Sequence, residues 1–213
     1  MSPAVFIPLA EDSGRIDRLT FALLDKAGVE VDDMLRRNET LKLSFNVTPD
    51  QLIGAGFVES LTTRIEKAGF NPRQLVIEIT ERQPISDFEA ALRVSRDLAK
   101  LGIRIAIDDT GTGHNGLSSL HALQAHTLKI DKYFVDGVAL DRKSAVLVEA
   151  LISLAEQFGM DVVAEGIETE EQRVKLLDLG IREGQGYLYA KPLPASELIA
   201  RAEEGMKPMP KAA

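Results

Sequence analysis

The chain has no cysteine. That absence removes disulfide frameworks and thiolate metal sites, and leaves oxygen and nitrogen as the ligands open to a metal. Long apolar runs are also missing: nothing approaches the roughly 20 residues that span a bilayer, so no membrane segment is expected. The opening residues, MSPAVFIPLAEDSG, lack a basic leader region and soon reach an acidic pair, so they do not read as a signal peptide; with the absence of cysteine, the cytoplasm is the expected location. Positive charge is scarce as well. With 25 basic and 33 acidic residues the net charge is −8, and the scattered lysines and arginines offer no stripe to neutralise phosphates, so long nucleic acid is not an expected partner. A small anionic ligand stays compatible if metal ions bring the positive charge.

What is present is ordinary globular composition. The 213 residues, 45% of them hydrophobic, suit one domain with a sizeable core, expected over residues 1–204, with a proline-containing flexible tail at 205–213. From residue 41 one pattern recurs: apolar strand, polar end, cap, amphipathic helix, glycine. Strands are predicted at 41–47, 74–80, 103–109, 126–131, 161–166 and 184–189. Helices are predicted near 50–68, 87–100, 116–123, 144–158, 170–179 and 195–204. Capping boxes at Thr48/Gln51, Ser86/Glu89 and Thr169/Gln172 mark starts, and Gly69, Gly102, Gly159 and Gly180 mark ends. Ahead of these lie a helix from Pro3, with Ser2 placed to cap it, and a second from about Ile16. The charged stretch VEVDDMLRRNET reads as a weakly structured connection.

Alternating strands and helices with near-continuous apolar strands predict a parallel α/β sheet covered by helices. An open doubly wound sheet concentrates its chemistry at one switch point, whereas a (β/α) barrel spreads it over the carboxyl ends of many strands. Here polar residues close strand after strand: Asn46, Glu78 with Glu81, Asp108 and Asp109, Lys129 with Asp131, Glu165 with Glu168, and Gln185. The pattern favours a barrel of the TIM type, although six strand–helix units fall short of the eight that close one.

Such a mouth, lined with hard oxygen donors and one ammonium, suits Mg²⁺ or Mn²⁺. The adjacent aspartates of IAIDDTGTG become tolerable if one bridges a pair of cations and the other binds one of them. Two ions about 3.5–4 Å apart are the arrangement that cleaves phosphodiesters. Each residue has a plainer reading: Asn46 as a turn former, Glu78 paired to a surface Arg, Asp131 and Glu168 as helix caps, Lys129 as a snorkelling surface lysine. Their recurrence at successive strands makes the joint coincidence poor. His114, His121 and His126 have no metal-ligand spacing and read as structural, with His114 the one loop candidate.

At IAIDDTGTG, TLKID, VVAEGIETEEQ and GQGYLYAKPLP, with LSFNVT and LVIEITE in order before them, the chain closely resembles the EAL family of cyclic di-GMP phosphodiesterases. The resemblance implies a (β/α) TIM-like barrel that hydrolyses the cyclic dinucleotide to linear pGpG with two ions, Mg²⁺ or Mn²⁺. It further implies that Asn46, Glu78 and Asp108 ligate the first metal and that Asp108, Asp109 and Glu165 ligate the second. Glu165 and Lys129 match the residues that handle the attacking water, with Lys129 also at the phosphate. Glu81, Asn115, Asp131, Glu168 and Gln185 match supporting or substrate-binding positions, Glu81 and Asn115 through the glycine-rich loop. In that loop Thr110 stands where an aromatic is usual, and GTGHNG where Tyr-Ser is more common.

The Glu-Ala-Leu strand that names the family, whose Glu is a metal ligand, is not found. The Glu149–Leu151 copy of those letters falls mid-helix and is read as a solvent-facing decoy. The expected chain is therefore a barrel domain short of its amino-terminal strands, whether as an excised piece, an internal gene start or a naturally shortened member. Its hydrolysis is expected to be weak or absent, beside an active longer parent. The resemblance leaves open a homodimer and fusion to an upstream sensory domain. Two other functions compete: a non-catalytic module that binds cyclic di-GMP or a protein, and a barrel enzyme using Lys129 as base beside Mg²⁺.

Overall fold

The computed structural model describes residues 3–80, 83–111, 120 and 123–203. Glu81, Asn115, His114, His121, Ser2, most of the 116–123 helix and the 205–213 tail lie outside the described residues.

Three helices come first: α1 (Pro3–Asp12), α2 (Ile16–Glu30) and α3 (Asp32–Arg37). The third corrects the expectation of a loosely structured connection. Asp32 and Asp33 sit in its first turn and Arg36 and Arg37 in its last, which complements the helix dipole. Each aspartate pairs with the arginine four residues on, Asp33 with Arg37 at 2.7 Å, and Leu35 is buried. Charge that reads as solvated loop is here the lateral support of one short helix.

Then the repeating units begin: β1 (Leu43–Asn46), α4 (Pro49–Ile53), α5 (Phe57–Ala68), β2 (Leu75–Thr80), α6 (Phe88–Leu101), β3 (Arg104–Thr110), β4 (Thr127–Ile130), α7 (Lys132–Gly137), α8 (Arg142–Phe158), β5 (Asp161–Ala164), α9 (Glu170–Asp178), β6 (Glu183–Gly184) and α10 (Ala195–Glu203). Five of the six predicted strands are present as expected; the sixth is only Glu183–Gly184, sharing Gly184 alone with the predicted 184–189, whose remainder is loop and turn. The single helix expected over 50–68 is two, parted at Gly54–Gly56, where Gly56 takes φ +79°. The cap of α6 is Asp87, whose carboxylate accepts from Ala90 N at 2.9 Å, one residue later than the Ser86 box places it. The Thr48 and Thr169 boxes form as expected, and Gly69, Gly102, Gly159 and Gly180 all have positive φ.

The six strands pair in parallel and in chain order, β1 to β6. Leu75, Ile77, Ile79, Ile105, Ile107, Leu128 and Ile130 point to one face and are almost fully buried under the helices, against Leu52, Leu61, Leu98 and Val148. Burying such side chains contributes roughly 1.5–3 kcal/mol each, which fixes the register, since a one-residue slip would turn them outward. The opposite face carries Ser44, Val76, Ala106, Thr127 and Val163 and curves around a cavity of about 290 Å³. The result is a half-barrel: TIM-like in strand order and helix placement, with six strands where closure takes eight. No helix among the described residues is long and apolar enough to cross a membrane.

Candidate metal centre at the strand ends

Lys129 lies near the end of β4 on the concave side. Its neighbours Leu128 and Ile130 point into the helix layer, so pleat alternation alone aims the lysine at the cavity. It is 4% exposed, which disposes of the snorkelling reading. Three carboxylates from three other segments surround its ammonium: Glu78 Oε2 at 2.9 Å, Asp108 Oδ1 at 3.0 Å and Glu165 Oε1 at 2.6 Å. Glu78 is thus paired to this lysine and not to a surface arginine. Gln185 closes the arc, its Nε2 donating to Glu165 Oε1 at 2.6 Å. Asn46 is in register with Glu78 on β1 and continues the concave row of Lys42 and Ser44.

Consecutive residues of a regular strand face opposite sides, which would turn Asp109 into the helix layer if Asp108 faces the cavity. A bulge prevents this. Between Ile107, opposite Leu128, and Thr110, opposite Ile130, β3 carries one residue more than β4. Asp109 takes φ +54°, a left-handed conformation that aspartate tolerates better than most residues. Its backbone N–H donates to Asp108 Oδ1 at 3.1 Å, and Thr80 Oγ1 donates to its Oδ2 at 3.3 Å. Asp108, Asp109 and Glu165 consequently each offer an oxygen within 4.8 Å of the other two. Half-buried, hard and anionic, this donor set fits a hard divalent cation.

The electrostatics are those of a site with too much negative charge. Burial, then Asp108, pushes the Glu165 carboxyl up to about 7 despite its bond to Lys129. Burial works against the Lys129 ammonium, but Glu78, Asp108 and Glu165 outweigh it and hold the lysine well above its usual value. The two directions agree: one ammonium cannot neutralise four carboxylates, so a proton or a further cation is drawn in.

The remaining candidates sit at the margin. Asp131 caps α7, accepting from Tyr133 N at 2.6 Å, as its plainer reading has it. Glu168 caps nothing, Thr169 being the cap of α9, and its carboxylate meets Lys132 Nζ at 3.0 Å. His126 is structural: Nδ1 accepts from Ile105 N at 3.3 Å. Glu149 is mid-helix and solvent-facing on α8, where the decoy reading expects it. The residue that the sequence reading passes over is Lys132, whose signal is a lysine four residues before Asp136, next to a strand end.

The EAL domain model matches residues 1–192. The bifunctional diguanylate cyclase/cyclic di-GMP phosphodiesterase MucR of Pseudomonas aeruginosa is 34% identical over 201 residues, 94% of this chain and 29% of that protein. The chain spans about a third of the length of the first curated relatives it matches. The solved structure "PaMucR Phosphodiesterase, c-di-GMP complex" superposes with TM-score 0.85 at 34% identity, over 93% of this chain and 81% of that one. Klebsiella pneumoniae BlrP1, solved as a manganese/cy-diGMP complex, does so with TM-score 0.74 at 31% identity, over 82% of this chain and 44% of that one. With the family model running along most of its length and the half-barrel superposing on a solved EAL relative over 93% of the chain, this chain belongs to the EAL domain family.

Proposed function

We propose that the strand-end cluster hydrolyses cyclic di-GMP to linear pGpG. The observation that carries the reading is the convergence of Glu78, Asp108 and Glu165 on Lys129, with Asp109 turned to the same side by the bulge. Asn46, Glu78, Asp108, Asp109 and Glu165 are the residues that would hold two Mg²⁺ or Mn²⁺ ions. When bound, those ions supply charge neutralisation and a lowered pKa for water. Charge balance favours two: against four carboxylates and one ammonium, one divalent ion leaves the cluster negative, whereas a second makes it positive and receptive to a phosphate.

In this mechanism the Lys129 ammonium donates to a non-bridging phosphate oxygen. Glu165 takes a proton from the attacking water as the new O–P bond forms. The bond from phosphorus to the ribose 3′ oxygen breaks, and that oxygen takes up a proton. Gln185 keeps the Glu165 carboxylate turned inward through its 2.6 Å bond. Glu81 and Asn115 keep their proposed supporting role in the glycine-rich loop, and Asp131 acts by fixing the start of α7. Without a glutamate from a Glu-Ala-Leu strand the ligand set is one short, so turnover by these 213 residues is expected to be slow.

The test is to incubate the purified chain with cyclic di-GMP and Mn²⁺ and separate the products chromatographically. Slow formation of pGpG, abolished by chelator and by Asp108→Asn, supports the reading. Tight, metal-independent binding of cyclic di-GMP with no product overturns it in favour of a non-catalytic binding module. Turnover that survives Asp109→Asn overturns the two-ion form.

A further inference from the structure

Glu165 and Glu168 stand on one short segment, 165–168, between β5 and α9, and something must hold it in place. One side is held by backbone. Ile167 N donates to Gln185 O at 3.0 Å and Leu188 N to Ile167 O at 2.9 Å. Gly186 lies so close that a Cβ there would stand 2.1 Å from Ile167 O. The other side is held by a side chain. Gly166, at φ +69°, lies directly under the stem of Lys132: a Cβ would stand 2.5 Å from its Cγ and 2.7 Å from its Cδ. Beyond that point the Lys132 ammonium bonds to Asp136 Oδ1 at 2.7 Å and to Glu168 Oε1 at 3.0 Å.

We propose that Lys132 is a positioning residue for the centre: its stem pins Gly166, and its ammonium, anchored by Asp136, sets the Glu168 carboxylate. The segment is thereby held with Glu165 against Lys129. The inference rests on the reading of Glu165 as a metal and water residue. Stability is a poor explanation for the pair, because both partners are close to half exposed and solvent-screened ion pairs contribute little. Location is the better one. Lys132 begins α7 immediately after the Asp131 cap, so its backbone is fixed by β4, the strand that carries Lys129. Glu165 N in turn donates to Ile130 O at 3.0 Å, so the two halves of the centre meet at this turn.

Three variants separate stem from charge: Lys132→Met keeps the stem, Lys132→Ala removes both, and Lys132→Arg keeps both. The measurements are amide hydrogen exchange at Glu165, Ile167 and Glu168, Mn²⁺ affinity by calorimetry, and Tm. The expected result is faster exchange at these amides in the Ala variant, by about tenfold. Mn²⁺ binding should be roughly 10-fold weaker in the Ala and Met variants, wild-type values should return with Arg, and Tm should change little. The sign of the Met result is decisive. Loss of a nearby positive charge alone would tighten Mn²⁺ binding, so tighter or unchanged affinity overturns the proposal, as does unchanged exchange in the Ala variant. If the wild-type chain binds no Mn²⁺, the two-ion reading fails, and exchange still decides whether Lys132 pins the segment.

Discussion

Lys129 Nζ stands 2.6 Å from Glu165 Oε1, closer than to either of its other two carboxylate partners. The shortest contact is thus between the ammonium and the carboxyl that burial and Asp108 push up. Lys129→Met leaves Glu78, Asp108 and Glu165 facing one another with no cation among them. Breaking a buried pair on one side costs about 3–5 kcal/mol. The metal-free variant is therefore expected to melt well below the wild type, with Mn²⁺ recovering a larger share of its stability than in the wild type. Equal gains on adding Mn²⁺ to the two proteins would contradict this.

Asp109 is held in a left-handed conformation that asparagine adopts at least as readily. Asp109→Asn also removes one negative charge from the cluster. The expected outcome is a metal-free Tm equal to or a few degrees above wild type, together with Mn²⁺ affinity lowered at least about 10-fold. Calorimetry and thermal melting on the same sample check both halves.

His126 gives a pH dependence away from the centre. Burial, then Arg104, holds its imidazole below the usual 6.5, with Asp161 opposing. The unfolded chain therefore takes up a proton near 6.5 while the folded chain resists until lower pH. The stability that His126 contributes is complete above that value and lost as pH falls through the folded one. His126→Asn is expected to flatten the Tm profile across roughly pH 7 to 5 relative to wild type. A parallel profile would show that the Ile105 N–H bond does not depend on the neutral ring.

Glu149 supplies the control. On the exposed face of α8 it touches nothing in the centre, so Glu149→Ala is expected to change stability by less than about 0.5 kcal/mol and Mn²⁺ affinity not at all. A measurable loss of metal binding would mean that the mid-helix Glu-Ala-Leu is no decoy.

The strands were legible in the sequence because a run such as LVIEIT changes from apolar to acidic at a fixed step, and burial on one face admits no other register. Glu78, Lys129 and Glu165 could be placed from that step alone. Asp109 could not, since strand periodicity puts it on the wrong side, and the bulge that reverses it arises from how β3 meets β4. The helix at Asp32–Arg37 was hidden because pairs four apart look like solvated charge until Leu35 is seen buried beneath them. Lys132 was hidden because its importance lies in a glycine 34 positions away on the next strand's loop.

Strand order has a consequence for synthesis. Because β1 to β6 follow one another along the chain, Glu78 and Asp108 leave the ribosome before Lys129, and Glu165 leaves after it. The ammonium therefore arrives after two of its carboxylate partners and before the third, so the cluster cannot be completed without it.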